Sequence, residues 1–497
     1  MSLSRLLPGV MLPLAVVIGV GLTLIGLIGG FATAVVVSVG AIVTVAAMSS
    51  LELGLLALIL VGALDGFLKG ISPGWHTQLL KDYILGICLL RWAWLSVLGQ
   101  RRKSAKHPLS LALLLFAAWV TVQLFNDRNT SVLMAIAGYR MWIIWLPVFF
   151  LAYDCINSRK QIRRLVVFLL IVLAPLSAYA LFQYQFGLEH LTRLGPGFDP
   201  FLRQQYAVLG GEGEVRLRPS STMVSPHSFA GTAVNVLLVG VGAIAYLRHR
   251  RSLQLLSICA MPVIAVGLLV TAVRSAFASV LVGGVALMLL VRRPGLAVLL
   301  VLTAILAAVA LNEITAGVVM DRLRTIITDP EHTYERILVP WETAMKWGSA
   351  HPLGAGIATG VGAGRLLEER ATPTGFVPHR QPPWAENEYA RALIELGVPG
   401  FALFVWVLAS VVRHVLTSYR ALREPRDRWL VAGVFAMVVS VLVRLLVGSA
   451  LYGWPEAIIF WTFVAVAVRL PQIAEQEAAQ TASPLHEGAA QVAQRSR

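Results

Sequence analysis

The sequence predicts an all-α fold: a polytopic membrane helix bundle of about 12–14 transmembrane helices with a large, partly helical periplasmic loop. Three observations carry this. The 497 residues are 57% hydrophobic and only 13% charged, where an ordinary soluble domain has roughly 25% charged residues. The apolar residues fall in runs close to the ~20 that a helix needs to cross a bilayer core. The basic residues gather in alternate breaks between those runs, as they do where positive charge sets membrane orientation.

Taken in chain order, spans are expected near 9–29, 31–49, 51–67, 82–99, 108–124, 132–152, 165–185, 226–247, 253–272, 275–291, 294–311, 393–412, 429–450 and 455–470. The N-terminal run MSLSRLLPGVMLPLAVVIGV has a single arginine and no small-residue cleavage site. It is therefore read as the first span and not as a removed signal peptide.

With the N-terminus in the cytoplasm, QRRKSAKH (100–107), NSRKQIRR (157–164), RHRR (248–251), RR (292–293) and RHVLTSYRALREPRDR (413–428) all fall on that side. The opposite breaks hold little beyond Lys69, Lys81, Arg128 and Arg274. Both termini are then cytoplasmic, and the long segments lie on the opposite face of the membrane. The net charge of +15 is thus spent on topology, which argues against nucleic acid as a partner. Cys88, Cys155 and Cys259 build neither a disulfide framework nor a metal cluster.

Five regions follow. Residues 1–185 hold the N-terminal helices, and 186–311 a periplasmic segment and the central helices. Residues 312–392 form the large periplasmic loop, 393–470 the C-terminal helices, and 471–497 a disordered cytoplasmic tail. Within the loop, AGVVMDRLRTII and YERILVPWETAMKWGSA have apolar residues at helical spacing.

No P-loop, HExxH or Asp-x-Asp motif occurs, so no cofactor or metal is expected. The glycines of HPLGAGIATGVGAG (351–364) lack the preceding strand of a dinucleotide loop. They read better as a turn that brings backbone close to another element.

The charges need explaining next. GEVRLRPSSTMVSPHSFAG brings Arg216 and Arg218 to the start of a span, LLVTAVRSAFAS places Arg274 in a tight outer turn, and ERILVPW offers Arg336. A lone arginine at a helix end often snorkels to the headgroups. Arg218 and Arg274 lie on one face of the membrane, where guanidinium forks can hold a diphosphate bidentately. In WAENEYARALIELGVPGF (384–401), the spacing of Glu388, Arg391 and Glu395 allows a ladder of ion pairs along one helix face. Glu386 and Asn387 are left over. Glu386 either favours the positive end of the helix dipole or acts as a general base, its carboxyl desolvated by apolar walls. Asn387 would orient it or the acceptor. The intramembrane Arg91, Arg140 and Arg444 should face the bundle interior, lining a cavity or making internal pairs.

With these residues in order, the chain resembles the O-antigen ligase and polysaccharide polymerase superfamily of membrane glycosyltransferases. RPSSTMVSPHSFAG, VTAVRSAFAS, ERILVPWETAMKWGSAHPLGAGIATG and ENEYARALIELGVPGFALF are similar to its arginine segments, its large-loop run and its closing helix. The resemblance implies an inverting transferase that uses no metal and no nucleotide sugar, with undecaprenyl-diphosphate-linked oligosaccharide as donor. It implies Glu386, Arg218 and Arg274 as catalytic residues. Arg216, Arg336, Asn387, His379 and Tyr389 are implied in diphosphate or glycan binding, His379 also as a substitute base. Glu386 stands where the ligases carry histidine, which favours a polymerase of exopolysaccharide, capsule or O-antigen repeat units. The alternatives are a ligase that moves a finished glycan to lipid A core or another acceptor and, from another class, a lipid-linked oligosaccharide flippase. A chain-length regulator and export machinery are candidate partners. The paired, symmetrically broken halves common in transporters are not visible in the sequence.

Overall fold

The computed structural model describes residues 30–98, 107–292, 330–359 and 387–495, apart from short breaks at 130, 196, 199–206, 210–214, 358, 449 and 452. The spans expected near 9–29 and 294–311, and the stretch AGVVMDRLRTII, lie outside the described residues.

The described chain is helical almost throughout. Its helices are α1 (Phe31–Ser49), α2 (Leu51–Ile71), α3 (Trp75–Val97), α4 (Ser110–Gln123), α5 (Val132–Ile143), α6 (Leu146–Cys155) and α7 (Arg159–Thr192). After a two-stranded antiparallel ribbon, β1 (Ala207–Leu209) and β2 (Val215–Leu217), come α8 (Pro226–Tyr246), α9 (Arg251–Val270) and α10 (Arg274–Val291). The last four are α11 (Pro330–Ala350), α12 (Glu388–Ala421), α13 (Pro425–Arg444) and α14 (Glu456–Arg495). Among the described residues, 8 helices are long and apolar enough to cross a membrane, so the chain is a multi-pass membrane protein with an all-α bundle. The helices expected near 82–99 and 429–450 form as α3 and α13, and several charges on or beside them are paired, while Arg91 donates to Ser49 O. Lys81 meets Asp65, Arg140 meets Asp82 and Arg444 meets Glu456. Such pairing offsets the cost of charge at membrane depth.

Three elements differ from the sequence reading. The span expected at 132–152 is present as Val132–Cys155, but its helix is interrupted between α5 and α6, because Pro147 lies in the first turn of α6 and supplies no N–H to continue the α5 ladder. Next, α7 runs 34 residues with a non-helical Gly187, so the outer segment begins inside a helix. Finally, α14 continues to Arg495, past the residue 471 at which a disordered tail was expected. Its Ala, Gln and Glu residues have high helix propensity, which outweighs their lack of an apolar face.

Polar contacts sort to two ends of the bundle, as alternating spans require. At one end Arg159 reaches Asp427 at 2.5 Å and Glu477 at 2.7 Å, while Gln161 donates to Glu52 at 3.0 Å. At the other, Gln123 donates to Leu353 O at 2.7 Å and Gly197 N–H to Gly70 O at 2.8 Å. The first is the end of the basic breaks, and the second carries the long segments. At the centre, α8 and α13 are buried and cross closely. A Cβ at Gly242 would lie 2.4 Å from Trp429 O and one at Gly433 2.8 Å from Leu238 O, the small-residue contact typical of membrane helices.

Candidate active site at the loop end of the bundle

Two irregular seams meet α8 and α12 at this end. The first is residues 218–225, which are not helical yet lie among buried helices. Irregular backbone at such depth persists only where protein satisfies its polar groups, and here the partners can be named. Gln183 of α7 clamps Ser221, donating to its carbonyl at 2.7 Å and accepting from its N–H at 2.8 Å. Ser221 donates its hydroxyl to Leu176 O. Thr222 gives its hydroxyl to Ala63 O at 2.7 Å and its carbonyl accepts from Phe67 N–H at 2.9 Å. The segment therefore sits on α2 at Gly66, where a Cβ would fall 2.1 Å from Met223 O. Ser225 then caps α8 by accepting from Ser228 N–H, with Pro226 in the first turn, a standard helix start.

This seam delivers Arg218. Its Nε donates to Thr271 O at 3.2 Å, in the buried turn Thr271–Val273 that leads into Arg274, the first residue of α10. One arginine is thus anchored on the turn that presents the other. Arg216 lies in β2 opposite Val208.

The second seam lies at the start of α12. Glu386 and His379 fall outside the described residues, and Arg336 lies within α11. Asn387 is fully buried and its Oδ1 accepts from the N–H groups of Tyr389 and Ala390 at 3.0 and 3.1 Å. It is an N-cap. Its Nδ2 is buried without a hydrogen-bond partner among the described residues. Tyr389 donates to Leu442 O at 3.2 Å, which pins α12 to α13.

The ion-pair ladder forms only in part. Arg391 meets Glu395 at 3.2 Å and stacks 4.4 Å over Trp142, whose indole also donates to Glu395 at 2.7 Å. Glu388 instead turns away and accepts from the backbone N–H groups of Ala450 and Leu451 at 3.0 and 3.4 Å. Its own N–H donates to Leu445 O. Next to Leu445, Arg444 donates to Gly231 O and Asn235 and pairs with Glu456 at 3.0 Å. Arg444 thus takes the internal-pair reading over the cavity-lining one. Through it α8, whose start carries the arginine seam, is tied to the start of α12.

Below this, α12 breaks at Gly397 (φ 68°, ψ −172°). The HPLGAG turn fills the break: Val398 N–H donates to Pro352 O, Ala355 N–H to Ile394 O, and Trp119 to Leu396 O. Gly354 has φ 111° and a Cβ there would lie 2.6 Å from Glu395 O. Gly354 and Gly356 thus bring backbone close to neighbouring elements.

Sequence reasoning missed two features. Gln183 looked like an ordinary polar residue at the end of a span, and only the fold shows which backbone it clamps. Asp65 accepts from both Lys69 and Lys81 at 2.8 Å, one residue from the Gly66 contact, leaving the cluster one positive charge in excess. An Asp inside the run at 51–67 and a Lys opening the run at 82 were the available signal, since a lone charge at that depth needs a partner.

A guanidinium on the Thr271 turn, a second arginine beginning α10 and a capped half-helix tied to the same α8 can bind an anionic group and position a residue just before Asn387. No curated protein matches the chain. Residues 258–405, from α9 through Arg274, α11 and the Gly397 break, match the family model described as O-antigen ligase. Over that part of its length the chain is similar to the O-antigen ligases.

Proposed function

We propose that the protein is a glycosyltransferase that moves a glycan from a polyprenyl diphosphate to an acceptor hydroxyl at the periplasmic face of the inner membrane, acting as a ligase. The observation that carries this reading is the anchoring of Arg218 on the turn that presents Arg274. Two guanidinium groups at one turn suit a diphosphate leaving group. The family description favours the ligase over the polymerase that the sequence placed first.

The acceptor oxygen attacks the anomeric carbon, and the bond from that carbon to the diphosphate oxygen breaks. Attack from the opposite face inverts the centre. The diphosphate leaves with the bonding electron pair, neutralised by Arg218 and Arg274, while Glu386 takes the hydroxyl proton. Asn387 caps α12, so its part is to fix where Glu386 enters; its Nδ2, unpaired among the described residues, is a donor for the acceptor glycan. Arg216, Arg336, Tyr389 and His379 remain candidates for holding glycan.

The second reading is a polymerase of lipid-linked repeat units, favoured by a glutamate before Asn387 where the ligases carry histidine. Profiling lipid-linked oligosaccharides in a deletion strain separates the two. Long chains stranded on the carrier mean a ligase, and single repeat units on the outer face mean a polymerase. Repeats trapped inside would mean a flippase and overturn both. Glu386→Gln should abolish transfer while leaving a folded protein; near-normal product from it would remove Glu386 from the mechanism.

A further inference from the structure

A groove of about 610 Å³ runs along α12 and α13 from Tyr389, at the second seam, to Arg420 at the opposite end of the helix. Its walls are Val405, Leu408, Ala409, Val412, Leu416 and Leu442, and its far end is lined by Arg413, Thr417 and Arg420. Positions 405, 409, 412, 413, 416, 417 and 420 recur at helical spacing, so they form one face of α12. That face is apolar for most of its length and basic at the end that also holds Arg159 and Arg426.

We infer that this groove binds an anionic glycerophospholipid of the cytoplasmic leaflet, its phosphate between Arg413 and Arg420 and an acyl chain running along α12 towards Tyr389. Charge complementarity selects the occupant. Among the described residues no carboxylate lines the groove. The ion pairs at this end are made by Arg159 with Glu424, Asp427 and Glu477 and by Arg426 with Glu424. Among the described residues Arg413 and Arg420 take part in none of them, and both are exposed. They are seven positions apart, about 10 Å along the helix axis, within reach of one headgroup from two sides. Thr417 turns its hydroxyl back onto Arg413 O at 2.9 Å, which leaves the space between the arginines open. From Val405 to Arg420 the face is about 22 Å long, enough for an extended acyl chain.

The test uses the full-length protein in detergent and native mass spectrometry, titrating phosphatidylglycerol against phosphatidylcholine with identical chains. Phosphatidylglycerol should be retained preferentially, by about fivefold for each arginine engaged. Arg413→Gln and Arg420→Gln should each lower that preference, and the double variant should remove it. Ala409→Trp keeps both arginines but fills the groove, and should reduce retention of both lipids. Equal retention by the unaltered protein, a preference that survives the double variant, or unchanged binding by Ala409→Trp would each overturn the inference. The single variants supply the answer if the double variant does not fold.

Discussion

The two seams at the loop end solve one problem by different chemistry. Residues 218–225 are held on α2 and α7 by side chains: the Gln183 amide and the hydroxyls of Ser221 and Thr222. The break in α12 is held mainly by backbone: with Gly397 and Gly354 at positive φ, Val398 N–H donates to Pro352 O and Ala355 N–H to Ile394 O, while Trp119 and Gln123 each add one side-chain bond. A side-chain seam can be loosened one bond at a time. A seam built on glycine contact has no intermediate state, because an added Cβ must displace backbone. The arginine seam should therefore fail in function before it fails in stability, and the α12 seam in both together.

The largest effect is expected from Gly397→Ala. Its backbone lies in a region open essentially to glycine, at about 1–3 kcal/mol of strain for another residue. The new Cβ would fall 2.4 Å from Gly354 N, Leu353 C and Pro352 O, adding about 1–3 kcal/mol of overpacking. The expected outcome is a sharp fall in melting temperature and in monodisperse yield. Normal melting would mean that α12 does not need this break.

Glu395→Leu comes next. It removes the Glu395 carboxylate from beside the Arg391 guanidinium, 1% exposed in its side chain, and the acceptor of the Trp142 indole. Breaking a buried pair from one side costs about 3–5 kcal/mol. Replacing both partners, Glu395→Leu with Arg391→Met, should recover much of the melting temperature. A double variant no better than the single one would show that the pair is not what Glu395 stabilises.

Gln183→Leu keeps the volume and deletes both bonds to Ser221. Leaving two buried main-chain groups unpaired should cost about 2–4 kcal/mol. The comparison predicts more than that. Transfer activity should fall further than the melting temperature implies, because the released segment carries Arg218. Activity that simply tracks stability would place the function of the seam elsewhere.

Much of the fold was legible because bilayer thickness and positive charge impose strong patterns, and α2, α8, α9, α10 and α12 stand where the apolar runs placed them. The pairing of Arg391 with Glu395 was legible from its four-residue spacing. Glu388 was not, because its partners are backbone groups about sixty positions away that leave no mark in local spacing. Gln183 failed for the same reason, and α5–α6 because one proline interrupts an otherwise continuous apolar run. Arg218 and Arg274 were legible as residues out of place, and their shared turn only as an expectation.

Thr222→Val should have the smallest effect, and it is the sharpest test of the side-chain seam. Valine has nearly the shape of threonine, so packing against α2 is conserved, and the main-chain bond from Phe67 N–H to Thr222 O needs no side chain. Only the hydroxyl donated to Ala63 O is lost, about 1 kcal/mol. The melting temperature should therefore move little. Thr222 lies four residues from Arg218, however, and without the hydroxyl the segment has one fewer anchor on α2. Transfer should fall severalfold, and Thr222→Ser, which restores the hydroxyl, should recover it. Recovery by serine would assign the effect to the hydrogen bond. If valine is fully active while serine is impaired, the methyl group and its packing hold the seam, and the contrast with the glycine seam becomes one of shape alone.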